Sequence, residues 1–461
     1  MKKQYISKVI IAAFATSFWS CSADFLEPTV STSKDVSSSV NTLEDLQGLV
    51  LGAYDRMNEP TYYGRDYIVF AEVRSDNALA NGNSGRFVGP GQFFLNTTDA
   101  YPRDTWQQLY RVIANTNIVV NAEVEENESA EVKYAKGQAY AVRGLAYMDL
   151  LRLYGQQWTG GNLGVPIVTE FNSGDLAPAR NTVEEVWAQV GSDLQMAKTM
   201  MDPTLDAGSP VEISSTAVDA LLSRYYLYVK NWPEAAAAAK RVIDSGVYSL
   251  ESASSFSGSW GLSGGDNIIF ELAYTPSDNP SINGLYNIYQ ETNYGDIEIT
   301  KNLYDVYDTS DVRLDLLGIY EDTTQKVTRY RMVGKYITPA TYNDNVKVIR
   351  YAEVILNYAE ALFQQGSTSE ALTYLNMIPE NRGATVYTEV TVDNILLERR
   401  KELAMEGFRF FDLMRYERPI PKVDNRQTFD ATIPYGDERL AFPIPQAEVN
   451  ANPSIVQNTG Y

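Results

Sequence analysis

Residues 216–246 read TAVDALLSRYYLYVKNWPEAAAAAKRVIDSG. In the first half, Ala217, Ala220, Leu221, Arg224, Tyr225 and Tyr228 recur at the three- and four-residue spacing of one helical stripe. Lys230-Asn231-Trp232-Pro233 then turns the chain, with Pro233 at the first position of a second helix. That helix runs through Ala235–Ala239 to Ile243. The pattern returns at 350–378, where Ala352, Ile355, Ala359 and Leu362 lead to Gly366, and Ala371, Leu375 and Ile378 follow. Glu234-Ala235 overlays Glu370-Ala371, with a helix ending just before each.

Small residues where two helices approach, with larger ones between, is tetratricopeptide logic, with a unit of about 34 residues. Working outward, 136–155 carries Ala139, Arg143, Ala146, Tyr147, Leu150 and Tyr154 on one stripe and stops at Gly155. A pair formed by 104–122 and 130–155 fits the same logic. Thr182 and Glu185 predict a capping box for a helix that buries Trp187, Val190 or Gly191, Leu194 and Ala197. The expected fold is therefore mainly α: tetratricopeptide-like helical hairpins at about 104–246 and 350–416.

Four long stretches, 59–103, 156–181, 251–348 and 417–461, lack helical periodicity and are rich in Gly, Asn, Asp, Pro and Tyr. Irregular segments of this length in a compact protein are commonly functional. Short apolar runs at Asn267–Tyr274 and Arg329–Tyr336 predict small strands within them. Asp305, Asp308, Asp311 and Asp315 lack the alternate spacing of a calcium loop, and their three-and-four spacing predicts a solvated helix face.

The N-terminus reads as an address. Lys2, Lys3 and Lys8 precede the apolar run Val9–Ala15, and Cys21 follows it directly. Residues 1–20 are expected to be a secretory signal and Cys21 the lipidated residue of a bacterial lipoprotein. It is the only cysteine of the chain, so no intramolecular disulfide can form. The Ser/Thr-rich residues up to 42 read as a tether, with one folded region over 43–461.

Composition excludes several functions. The chain has 59 acidic and 38 basic residues, a net charge of −21, and loses only lysines with residues 1–20. Such a chain is repelled by nucleic acid and by anionic lipid headgroups. It has no histidine, which removes His-based triads and most zinc sites. The 32 tyrosines and 6 tryptophans serve packing in the main, but a subset on loops can stack on sugar rings or peptides.

The segment 398–416, ERRKELAMEGFRFFDLMRY, reads as a helix with Leu397, Ala404, Phe408 and Phe411 on one stripe. Its acids Glu402, Glu406 and Asp412 each have an Arg or Lys within a turn, which favours a structural ion-pair helix over acid catalysis. This segment closely resembles the C-terminal helix of the RagB/SusD family. Other pieces resemble the family in order: Cys21 with Asp24-Phe25-Leu26-Glu27, Arg74-Ser75-Asp76, Trp106–Tyr110, Arg143–Tyr147 through Gly155, and Gly164–Val168. Asp311-Val312-Arg313, Phe442-Pro443-Ile444-Pro445 and Gln457–Tyr461 continue the match. The resemblance implies a helical scaffold with loop regions packed on it and no enzymatic activity. It also implies a place at the outer-membrane surface as the lid of a SusC-like, TonB-dependent transporter. The implied ligand is an oligosaccharide, with peptide as the alternative. No cofactor or metal is implied.

Ligand sites in the family lie on loops and do not transfer by motif, so candidates follow from chemistry. A sugar packs its C–H face on an aromatic ring while its hydroxyls bond to Asp, Asn, Gln or Arg. Two loops combine these residues: Ser75–Tyr101, with Asp76, Asn77, Asn81, Arg86, Phe87 and Tyr101, and Tyr274–Asp296, with Tyr286, Tyr289 and Tyr294. Trp260 is a third candidate.

Overall fold

The computed structural model describes residues 40–171, 177–291, 294–429 and 431–461. The expected secretory signal, Cys21 and most of the expected tether lie outside the described residues.

The long helices are α1 (Leu43–Asn58), α2 (Asp66–Val73), α3 (Ala100–Asn121), α4 (Ala130–Tyr154), α5 (Val183–Met200), α6 (Ser215–Tyr228), α7 (Trp232–Asp244), α8 (Tyr351–Gln364), α9 (Thr368–Asn381), α10 (Val392–Glu402) and α11 (Arg409–Arg415). Consecutive helices pack as hairpins: α3 on α4, α4 on α5, α6 on α7, α8 on α9, with α7 stacked on α8. The two aligned repeats have the same construction. Each closes with three residues between its helices, and Ala235 and Ala371 are both fully buried at the matching place. Pro233 sits one position further in than expected, because Asn231 caps α7 and Trp232 is its first residue.

The stripes read from sequence are the buried faces. Thr182 and Glu185 form both halves of the capping box, and Gly155 ends α4. A Cβ on Gly144 would lie 3.3 Å from the side chains of Asp193 and Leu194, so this glycine lets α4 and α5 approach closely. The arginines on these stripes are also buried, and they join hairpins. Arg143 bonds Asp193 on α5 at 2.9 and 2.7 Å, and Arg224 bonds Glu353 on α8 at 2.7 and 2.6 Å.

The loop-rich regions carry six short strands: β1 (Ala78–Ala80), β2 (Ile268–Leu272), β3 (Ile297–Ile299), β4 (Leu317–Asp322), β5 (Val327–Met332) and β6 (Val346–Arg350). Both strands predicted from apolar runs are present, as β2 and β5. One antiparallel sheet has the order β1-β3-β5-β4, and β2 pairs with β6.

Three expectations need correction. The stretch 59–103 is not wholly irregular: α2 lies within it, and every one of its residues is buried. A helix covered on all sides has no polar face, so it shows no periodicity. The segment 398–416 is not one helix. It breaks between Glu402 and Arg409, where Met405 (φ 64°) and Gly407 (φ 90°) are left-handed. The buried Glu72 carboxylate of α2 accepts the backbone N–H groups of Gly407 and Phe408 at 2.8 and 3.3 Å, replacing the helical bonds they lose. Finally, the four aspartates at 305–315 form no solvated helix face. Asp311 is buried, caps a short 3-10 turn (Val312–Leu316) and pairs with Arg313 at 2.8 Å.

The C-terminal residues close the molecule. The Asn458 amide donates to the carbonyls of Tyr154 and Phe442 at 2.8 and 2.7 Å and accepts from Arg180. Gln457 pairs with both backbone groups of Ile444 at 2.7 Å. The closing signature is thus a set of hydrogen bonds tying the last residues to the end of α4.

Candidate functional site

The two candidate loops, more than two hundred residues apart in sequence, meet through β1 and β3. Ala78 pairs with Ile299, Leu79 with Glu298 and Ala80 with Ile297. Just beyond this ladder, Asn81 donates to the Gly295 carbonyl at 2.7 Å and to Glu298 at 2.8 Å. Asn83 donates to the Tyr294 carbonyl at 2.6 Å, and Ser84 N–H donates to Asp296 at 2.9 Å. The Arg86 guanidinium lies over the Tyr294 ring, 3.8 Å from its centre. Glu298 anchors the arrangement from below: it is fully buried and also pairs with Arg329 and Arg426.

The result is a small surface platform. Tyr294 and Arg86 are half-buried, and residues 82–85 are exposed. It offers an aromatic ring, a guanidinium, the Asn83 carboxamide oxygen, which has no protein donor among the described residues, and the Ser84 hydroxyl, which accepts from Arg86 at 2.9 Å and keeps its own proton to donate. Chemically this suits a polar ligand with an apolar face. Asn81 is a brace rather than a contact, since its amide is spent within the protein.

The other candidates divide by burial. Asp76 is held by Arg409 at 2.7 and 2.9 Å and by Arg400 at 3.3 Å. Burial acts to raise its carboxyl, but Arg409 and Arg400 outweigh this and hold it below the usual aspartate range. Asn77 bonds Arg400 and Glu72 at 2.8 and 2.9 Å. Both residues are buried, and both position β1 against the 398–416 segment. Phe87 is in the core between Phe70 and Tyr101, and the Tyr101 hydroxyl accepts the Phe87 N–H at 3.0 Å. Tyr289 is buried against Tyr336. Trp260 is buried beneath Lys335 and Arg350, at 4.5 and 5.1 Å. The expectation that these five residues face a ligand is therefore corrected to packing and positioning: their polar or aromatic groups are covered by protein. Tyr286 remains half-exposed and meets Tyr342 edge-on at 6.0 Å. Tyr342 was not expected, because no spacing links positions 56 residues apart. Residues 292–293 of the second loop lie outside the described residues.

The acids of the 398–416 segment are locked in ion pairs, as its charge pattern implies, but their partners come chiefly from other elements. Glu402 is bonded by Arg350 at 3.0 Å, by Arg382 at 3.1 Å and by Arg313 at 3.3 Å. Burial would raise its carboxyl, yet Arg382, Arg350 and Arg313 hold it far below the usual range. Asp412 is likewise depressed, burial being outweighed by Arg399 and Arg415. Asp66 runs the other way. Burial pushes its carboxyl up to about 6 although Arg65 bonds it at 2.6 Å.

These opposite shifts predict a stability optimum below neutral pH. Asp66, raised above its unfolded value of 3.8, binds its proton first in the folded state, so stability rises as pH falls from about 6 towards 4. Glu402, Asp412 and Asp76 are depressed, so their contributions are complete above their unfolded values of 4.5 and 3.8 and are lost as pH falls below them. Thermal unfolding between pH 3 and 8 is expected to peak at about pH 5. Burial also raises Glu72, Asp193 and Glu251, so the Asp66→Asn variant is expected to reduce the rise between pH 6 and 4 while keeping the acid collapse.

Comparison with known proteins agrees with this architecture. A sequence model described as the SusD family matches residues 318–461, and one described as "Starch-binding associating with outer membrane" matches residues 24–227. A solved SusD superfamily protein from Bacteroides thetaiotaomicron is 30% identical, covering 90% of this chain and 99% of its own, with a TM-score of 0.82. A putative sugar binding protein from Bacteroides vulgatus is 29% identical over 92% of this chain and 99% of its own, with a TM-score of 0.83. The SusD-like protein P38 of Formosa agariphila is 24% identical over 91% of this chain and 92% of its own length. With family models matching residues 24–227 and 318–461 and a 30%-identical relative covering 90% of it, the chain belongs to the SusD family.

Proposed function

We propose that this protein is a binding lipoprotein of the outer-membrane surface. It captures an oligosaccharide on the platform of Asn83, Ser84, Arg86 and Tyr294 and delivers it to a SusC-like, TonB-dependent barrel. The observation that carries this reading is the β1–β3 pairing, which brings two remote Tyr/Asn-rich loops into one polar, aromatic surface. The printed descriptions of its relatives, one a starch-binding family associated with the outer membrane and one a putative sugar binding protein, support the ligand class and the location. Cys21, the sole cysteine, supports a lipid anchor, in which each buried methylene contributes about 0.8 kcal/mol. The folded region is taken as one unit over 43–461.

The protein acts by holding its ligand, not by cleaving it. The acid with the most suitable pKa near the loops, Asp66, is only 2% exposed and bonded to Arg65. Incubation with neutral oligosaccharides is expected to yield no new reducing ends. A peptide ligand is the second reading, since ring faces and a guanidinium also suit peptide side chains.

Calorimetry of the mature chain against neutral oligosaccharides, acidic oligosaccharides and short peptides separates these readings. Saturable binding to neutral oligosaccharides is expected. Stacking contributes about 1 kcal/mol per ring beyond burial, so Arg86→Ala with Tyr294→Ala is expected to cost about 2 kcal/mol, or roughly 30-fold in Kd. Unchanged affinity in that variant would remove the site assignment, and binding confined to the peptide pool would replace the ligand class. Co-purification of a barrel encoded beside the gene tests the partner, and loss of membrane association in Cys21→Ala tests the anchor.

A further inference from the structure

On the helical side of the molecule, the turns that close two helices leave a groove built by elements that contribute nothing to the loop platform. The α6–α7 turn (residues 227–232) forms one wall and the end of α11 with residues 416–417 the other. Gln157, Trp158, Gln364 and Tyr435 complete the lining. Its volume is about 440 Å³, within the range of small-molecule sites. We propose that this groove is a second binding site, independent of the platform, for a neutral sugar ring held between Trp232, Tyr416 and Tyr435.

Three features carry the assignment. First, Trp232, Tyr416 and Tyr435 are all half-buried at the groove. Among the described residues none of the three packs against another ring, because the neighbouring rings pair with each other: Trp187 with Tyr225 and Tyr228, and Tyr225 with Tyr226. Arg415 lies over the Tyr416 ring at 5.3 Å, and Trp232 and Tyr435 pack partly on the core, so it is the ring area still exposed that suits the C–H face of a sugar.

Second, hydrogen-bonding groups stand beside the rings. Gln364 donates to the Tyr416 hydroxyl at 3.3 Å, and its carbonyl oxygen has no protein donor among the described residues. Third, the rim is electrically balanced. Lys230 and Glu417 face each other at 3.8 Å and both are well exposed. They lie just past the ends of α6 and α11 in left-handed conformations, φ 56° and 54°, which glycine adopts more readily. The two charges cancel, so the mouth selects neither an anion nor a cation, yet both can bond sugar hydroxyls. A ligand engaged at both platform and groove would gain by effective concentration if its length spans them.

The test uses the mature protein labelled with fluorotryptophan, because no tryptophan belongs to the loop platform. The Trp232 fluorine resonance is assigned by its loss in Trp232→Phe. The probes are maltohexaose, cellohexaose, xylohexaose and mannohexaose at millimolar concentration, with a proline-rich decapeptide as a separate arm. The expected result is a saturable shift of the Trp232 resonance with at least one sugar. Its midpoint should be unchanged by Arg86→Ala with Tyr294→Ala and about tenfold weaker in Tyr416→Ala or Gln364→Ala. Matched thermal unfolding verifies that the variants are folded. Silence of Trp232 towards all four sugars, or a response to the peptide alone, would overturn the proposal. So would loss of the response in the loop variant, since the two sites would then be one. Failure of the platform alone leaves the Trp232 response intact, which distinguishes the two readings.

Discussion

Replacing Glu402 by alanine is expected to lower the unfolding free energy by about 3–5 kcal/mol, the usual cost of removing one partner from a buried ion pair. Glu402 is fully buried, and its two oxygens accept from three guanidiniums: Arg350 from the end of β6, Arg382 from the end of α9, and Arg313 from the 3-10 turn. Without the carboxylate these three cations face one another in a site closed to water. Arg350 retains Glu406 at 2.7 Å and Arg313 retains Asp311 at 2.8 Å, but among the described residues Arg382 keeps no carboxylate, only backbone carbonyls and the Phe256 ring at 3.9 Å. The neutral isostere Glu402→Gln keeps the shape and loses the charge, so a smaller loss of about 1.5–3 kcal/mol is expected. Urea unfolding measures both, as a fall in midpoint at constant slope. A fall of less than about 1 kcal/mol for Glu402→Ala would mean that the hairpins and loop regions are held together chiefly by apolar packing.

The second large effect is expected at Gly407. Its φ of 90° is one that residues with a Cβ rarely adopt, and a Cβ there would lie 3.1 Å from the Ile68 backbone on α2. Both problems arise in Gly407→Ala, and neither relaxes by a side-chain rotation. The strained backbone costs about 1–3 kcal/mol and the overpacking a similar amount, so a loss of about 2–6 kcal/mol is expected. The Gly407 N–H bonded to Glu72 is also displaced. Because Glu72 also holds Asn77 at 2.9 Å, the variant is expected to loosen β1 and the platform loop beyond it. Hydrogen exchange of residues 77–86 should rise more than that of α7, which packs on α6 and α8. Uniform exchange across the chain would separate Gly407 from the platform.

The ion-pair segment thereby links stability to the proposed platform. Asp76 and Asn77 carry no free group for a ligand, yet through Arg400 and Arg409 they fix where β1 begins. The platform lies only a few residues further on. Such residues read as candidate contacts in sequence because polar side chains on a loop look alike whether they face water or a buried guanidinium.

Local physics was sufficient for much of this chain. The hairpins were legible because their stripes repeat at helical spacing, and because Thr182, Glu185 and Gly155 mark helix ends through bonds to neighbours a few residues away. The strands β2 and β5 were legible as apolar runs, and the family from ordered motifs along the chain. The covered helix α2 was not legible, since burial on every side erases periodicity. Nor was the break at Met405–Gly407, which depends on Glu72 arriving from a helix more than three hundred residues earlier. The same holds for function. By itself the sequence showed which two loops combine ring and hydrogen-bonding side chains. Only the tertiary structure decided that Arg86 and Tyr294 share a surface while Phe87, Tyr289 and Trp260 are spent in packing. The physical reason is range: capping and periodicity act within a turn or two, whereas burial and ion pairing depend on which distant element arrives to cover a side chain.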